Sequence, residues 1–78
     1  MYWVYLLRCS DGSPYTGSTP DLKRRLHEHA SGKSKSTCKR LPVTLRSAVL
    51  FPDRLSARRF EAYLKSGSGR AFAKRHFP

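Results

Sequence analysis

Acidic residues are scarce in this chain. Five Asp plus Glu stand against 16 Lys plus Arg, a formal charge of +11 on 78 residues with a pI near 10.5. So large an excess on so short a chain points to a polyanionic partner, nucleic acid first and an anionic membrane surface second. Cysteine is nearly absent. Cys9 and Cys38 make no disulfide framework, and neither their spacing nor the three histidines match a zinc pattern. Free thiols and a cytoplasmic location are the expectation. No apolar run approaches the roughly 18 residues of a membrane span. Tyr2–Leu7 is too short for a signal-peptide core, and no convincing cleavage site follows it. Repeats and low-complexity segments are missing too. One small domain over residues 1–78, with one modest core, is what this length allows.

What is present reads as a short series of elements. Tyr2–Arg8 is aromatic and apolar, as a strand buried on both faces would be. Ser10–Ser13 is a turn, and Pro14–Gly17 returns as a second strand. A two-residue turn at Asp11-Gly12 would pair Arg8 with Tyr15 and separate Tyr5 from Tyr15. An odd-length loop would pair Leu7 with Tyr15 and bring both tyrosines to one face. A helix follows from about Pro20 to Ala30, with Thr19 as N-cap, Pro20 at the first position, Asp21 on the dipole and Ser31-Gly32 at the end. Lys33–Arg40 is a basic connector with little reason to order alone. Val43–Phe51 reads as a third strand, and a second helix runs from about Arg54 to Lys65. Gly67 and Gly69 end it, and Arg70–Arg75 forms one or two helical turns carrying Phe72 toward the core. The class is α+β: a small three-stranded antiparallel or mixed sheet flanked by helices, in the order β-β-α-β-α.

Two helix faces are chemically odd. At about 100° per residue, Leu22, Arg25, Leu26 and His29 share the inward stripe of the first helix. Lys23, Arg24, His27 and Glu28 form an ordinary solvated face. On the second helix Ala57, Phe60, Glu61 and Leu64 share a face, so one of only two glutamates points toward the core. Such a carboxylate pairs with Arg25, reaches water at the edge of its stripe, or holds a cation. Charges turned inward are costly without a partner or an anionic ligand.

Tyr5 or Tyr15, Arg25, His29 and Glu61 are the types that phosphodiester hydrolysis uses. A carboxylate can hold Mg²⁺ against the phosphate, and an arginine fork matches phosphate oxygens in the transition state. A tyrosine near positive charge can act as base, because its usual pKa of about 10 is lowered there.

These residues resemble the GIY-YIG nuclease domain, seen in certain homing and restriction endonucleases and in the incision subunit of bacterial excision repair. Trp3-Val4-Tyr5 resembles its first motif, with Trp in place of Gly, and Tyr15-Thr16-Gly17 resembles its second. The family's helical arginine and histidine fall on Arg25 and His29, and its metal-binding glutamate on Glu61. Thr37–Pro42 is similar to small stand-alone bacterial members. The resemblance covers nearly the whole chain and implies an Mg²⁺- or Mn²⁺-dependent DNA endonuclease, possible in DNA repair or recombination. Glu61 would hold the metal and Arg25 the scissile phosphate. Tyr5 would act as general base with Tyr15 beside it, and His29 would assist. Lys23, Arg24, Lys39, Arg40, Lys65 and Lys74 are the expected DNA contacts. The chain departs from the pattern in having no asparagine, where many members carry one near the C-terminus, so Lys65 or Lys74 is expected to contact phosphate instead. A domain this small is expected to take its specificity from DNA structure or from a protein partner, and no membrane is implied.

Overall fold

The computed structural model describes residues 1–77. Its centre is β1 (Tyr2–Arg8), flanked by β2 (Pro14–Thr19) and β3 (Thr44–Phe51) in an antiparallel sheet of order β2-β1-β3. The helices are α1 (Leu22–Ala30), α2 (Arg54–Lys65) and α3 (Gly67–His76). Being the middle strand, β1 is covered on both faces, and Val4, Tyr5, Leu6 and Leu7 are all buried. That accounts for its unbroken apolar run. Val4 and Leu6 face Ala57 and Leu64 of α2, with Phe51, Phe60 and Phe72 packed around them. Tyr5 points the other way, toward α1. The sheet therefore separates an aliphatic–aromatic core from a polar, aromatic one.

The hairpin loop, Cys9–Ser13, has an odd length, and Leu7 pairs with Tyr15 while Tyr5 pairs with Gly17. Both tyrosines consequently share a face. Gly12 supplies the positive φ of 84° that this loop requires.

Local chemistry shifts some boundaries. The N-cap of α1 is Asp21, whose carboxylate accepts from the Arg24 N–H at 3.1 Å. Thr19 instead accepts from the Asp21 N–H, a short turn before the helix. The expected helix start at Thr19-Pro20 is thus two residues early. The glycines after α2 do more than end it. Ser66 is the C-cap of α2 and the N-cap of α3, accepting from the Gly69 N–H at 3.1 Å. A Cβ on Gly69 would collide with the Tyr63 carbonyl, so only glycine lets α3 turn this closely off α2. The tail is a third full helix, and the element order is β-β-α-β-α-α.

The connector Lys33–Arg40 is also folded, against expectation. Hydrogen-bonded turns link Thr37 and Cys38 back to Ser34, and the Arg40 guanidinium donates to Ser13 Oγ and to the Ser36 carbonyl. Of its three hydroxyls, Ser34 and Thr37 are buried.

Candidate active site

The polar core is built from β1, β2, α1 and the connector. His29, the last inward residue of α1, is fully buried. Its Nε2 lies 2.9 Å from the Tyr5 hydroxyl and its Nδ1 lies 2.8 Å from Thr37 Oγ1. Arg25, one turn earlier, donates from Nε to the Tyr5 hydroxyl at 3.3 Å and from a terminal nitrogen to Ser34 Oγ at 3.4 Å. Arginine only donates, so the Tyr5 oxygen accepts from it. One tautomer that satisfies every group sends the Tyr5 proton to His29 Nε2 and leaves the imidazole hydrogen on Nδ1, donated to Thr37. Tyr15 completes the group, its ring centroid 5.1 Å from that of His29 and 6.2 Å from that of Tyr5.

Gly17 makes this packing possible. A Cβ there would sit 2.5 Å from the Tyr5 hydroxyl oxygen and 3.1 Å from the Tyr15 ring. The tyrosine of one strand lies over the missing side chain of its cross-strand partner.

Electrostatics follow from burial and from Arg25. Burial pushes the Tyr5 phenol up to about 12, although the Arg25 bond pulls it down, so the lowering expected from nearby positive charge is outweighed by desolvation. Burial likewise lowers His29, and the neighbouring Arg25 charge lowers it further, so the imidazole is neutral near pH 7. Arg25 is raised, first by its bond to Glu28 and then by that to Tyr5. Its ion partner is Glu28, at 3.0 Å on the next turn, and not Glu61. Glu28 is therefore part of the cluster and not merely a member of a solvated face.

Glu61 stands across the sheet edge. Its Oε1 accepts from Ser18 Oγ at 2.6 Å and its Oε2 pairs with Lys65 at 3.0 Å. Ser18 is paired with Val4 and so points to the α2 face, while its neighbour Gly17 faces the tyrosines. Burial works against the Glu61 charge, but the Ser18 and Lys65 bonds outweigh it and hold the carboxyl below its ordinary range. The side chain is 18% exposed. Among the described residues no three His, Cys, Asp or Glu gather as a metal cage. A single ionised, partly open carboxylate does suit Mg²⁺, which is commonly held by one or two carboxylates together with water and substrate phosphates.

The structure thus brings Tyr5, Tyr15, Arg25 and His29 into direct contact and links Glu61 to them only through adjacent residues of β2. Ser18, Glu28, Ser34 and Thr37 are additions that sequence reasoning missed. For Ser34 and Thr37 the signal was present in the hydroxyls placed among the cations of the connector. Of the expected basic contacts, Lys23, Lys39, Lys65 and Lys74 are exposed. Arg24 is exposed beside Glu28, while the fork of Arg40 is engaged in holding the connector to the hairpin loop. No helix among the described residues is long and apolar enough to cross a membrane.

Comparison with known proteins places these observations in context. Residues 1–75 match the family described as the GIY-YIG catalytic domain. A UPF0213 protein of Streptococcus agalactiae serotype V is 44% identical over 78 residues, covering 95% of this chain and 89% of the relative. One from Halobacterium salinarum is 46% identical over 66 residues, covering 83% and 86%. The solution NMR structure of a UPF0213 protein from Bacillus halodurans superposes with a TM-score of 0.60 at 43% identity, covering 96% of this chain and 82% of that one.

Proposed function

The chain belongs to the GIY-YIG family of nuclease domains, and from that premise we propose that it is a divalent-metal-dependent endonuclease hydrolysing DNA phosphodiester bonds. The observation that carries this reading is the hydrogen-bonded chain Arg25–Tyr5–His29–Thr37, whose Tyr5 lies over Gly17, the neighbour on β2 of Ser18 with its Glu61 contact. A buried neutral histidine between a phenol and a hydroxyl, beside an arginine, is an order along which a proton can pass.

Each residue has work to do. Arginine has five N–H donors, and Arg25 engages three of them with Tyr5, Glu28 and Ser34. The remaining two, on a side chain 32% exposed, would bind the scissile phosphate in the fork geometry that its oxygens match. Tyr5 would take a proton from the attacking water while its own proton passes to His29 Nε2. The imidazolium so formed donates from Nδ1 to Thr37. Tyr15 packs edge-on against His29 and holds the ring in place. Glu61 would hold Mg²⁺ or Mn²⁺, which supplies Lewis-acid stabilisation of charge on the phosphate when bound. Action in the cytoplasm, with a repair or recombination protein partner choosing the DNA, completes the proposal.

The test is cleavage of labelled plain duplex and branched DNA in Mg²⁺, Mn²⁺ or EDTA by the wild type and Glu61→Ala. Metal-dependent cuts that vanish in the variant, with DNA binding retained, are expected. Salt-sensitive binding without cleavage by either protein would overturn the reading.

A second reading has its own observation. Every buried side-chain polar atom among the described residues has a partner, and Tyr5 is only 1% exposed. A binding module that kept these groups for structure would look the same at rest. The Glu61→Ala comparison separates the two.

A further inference from the structure

A cleft of about 950 Å³ runs between the sheet and α3, and of the polar core only Tyr15 touches it. Its floor includes Leu64, Ala73 and Phe77. Its rim carries Arg8 from β1, Lys65 from α2, and Arg70 and Lys74 from α3, all exposed. No acidic residue lines it. Lys65 is paired with Glu61, whereas Arg8, Arg70 and Lys74 make no ion pair among the described residues. Tyr15 lines the same cleft. One end therefore opens on the tyrosine of the polar core and on the lysine that holds Glu61.

We propose that this cleft takes a single-stranded segment of nucleic acid, a few nucleotides long, that leads to or from the candidate active site. The choice of nucleic acid as the polyanion rests on the nuclease reading above; the choice of single strand does not. The Cα trace spans only 17 Å along its shortest axis. A duplex, whose major groove alone is about 12 Å wide, is too thick to enter a cleft within it. An unpaired strand presents flat apolar bases on one side and regularly spaced phosphates on the other. Apolar floor and cationic rim match those two sides, with Phe77 offering a ring on which a base can stack. Cations on three separate elements suit a row of phosphates better than a single headgroup. The volume is within the range of roughly 300–1,000 Å³ usual for ligand clefts. The substrate class that follows is DNA with an unpaired strand beside the cut.

Fluorescence anisotropy tests this with a labelled deoxythymidine octamer and a blunt duplex, in EDTA so that no cutting intervenes. Arg70→Ala/Lys74→Ala is compared with Arg54→Ala/Arg59→Ala, which removes the same charge from exposed positions outside the cleft. The cleft pair is expected to lose octamer affinity about tenfold more than the control pair, with a similar loss of duplex affinity in both. Methyl resonances of Leu64 and Ala73 in the wild type are expected to shift on adding the octamer. Equal octamer losses in the two pairs, unmoved methyls, or binding of phosphatidylserine vesicles in place of the octamer would overturn the proposal. A wild type that cuts duplex yet shows equal losses keeps the nuclease reading and ends this one. Octamer binding in the cleft without cleavage on any substrate does the reverse.

Discussion

Ser18 donates to Glu61 at 2.6 Å from the residue next to Gly17, over which the hydroxyl of Tyr5 lies. Two consecutive residues of an edge strand thus contact the carboxylate on one face and the tyrosine–histidine cluster on the other. The strand is the partition between them, and the two come together only along its edge.

Ser18→Ala tests that connection. A hydrogen bond to a charged group contributes about 1.5–3 kcal/mol when well buried, and partial exposure of Glu61 places the expected loss near the lower end. The Glu61 carboxyl is depressed in the folded state, so its stabilisation is present above its ordinary range and is lost as pH falls through the folded value. Ser18→Ala should raise that value and lose less stability on acidification. A carboxyl ¹³C titration of Glu61 identical in both proteins would show the bond to be unimportant.

His29 makes stability fall on the acid side of neutrality. Its folded pKa is lowered, so the unfolded chain binds a proton first as pH drops below about 6.5. The urea midpoint should therefore decline between neutral pH and the folded pKa, and His29→Gln should remove that decline. Thr37→Val, which leaves the Nδ1 hydrogen without an acceptor, should cost about 1–3 kcal/mol. Retention of a pH-independent midpoint in the wild type would contradict this account.

Gly17→Ala has no strain in φ but meets the Tyr5 phenol. Overpacking of this kind costs about 1–3 kcal/mol. Because the colliding atoms are those of the tyrosine, the near-ultraviolet circular dichroism should change along with the denaturation midpoint. If only one of the two changes, Tyr5 is not the group displaced.

Lys65 occupies one oxygen of Glu61. Removing its charge in Lys65→Met should raise the affinity of the carboxylate for Mn²⁺, measurable by calorimetry without substrate. The direction is set by simple competition between two cations for one site. An affinity that falls would mean that Lys65 organises the carboxylate and does not block it.

Much of this was legible in the chain. The inward stripe of α1 put Arg25 and His29 on one face because helical periodicity alone decides that, and the aromatic run of β1 identified the central strand. Loop parity, by contrast, left the tyrosines free to share a face or not until the hairpin was seen. The partner of Arg25 stayed open for a different reason. Glu61 was the inward acid by pattern and one of three partners for it was Arg25, yet Glu28 is a single turn away and a flexible arginine turns to it. The connector hid Ser34 and Thr37 because its charge suggested solvation. Its order comes from the buried polar groups it satisfies on α1, a tertiary cause with no local signature.

The groups of the polar core, from Tyr5 to Thr37, all come from the first half of the chain, whereas Glu61 reaches Ser18 across 43 residues. A truncation before α2 therefore removes the carboxylate and its contact with Ser18 together, while every residue of the polar core stays in the chain.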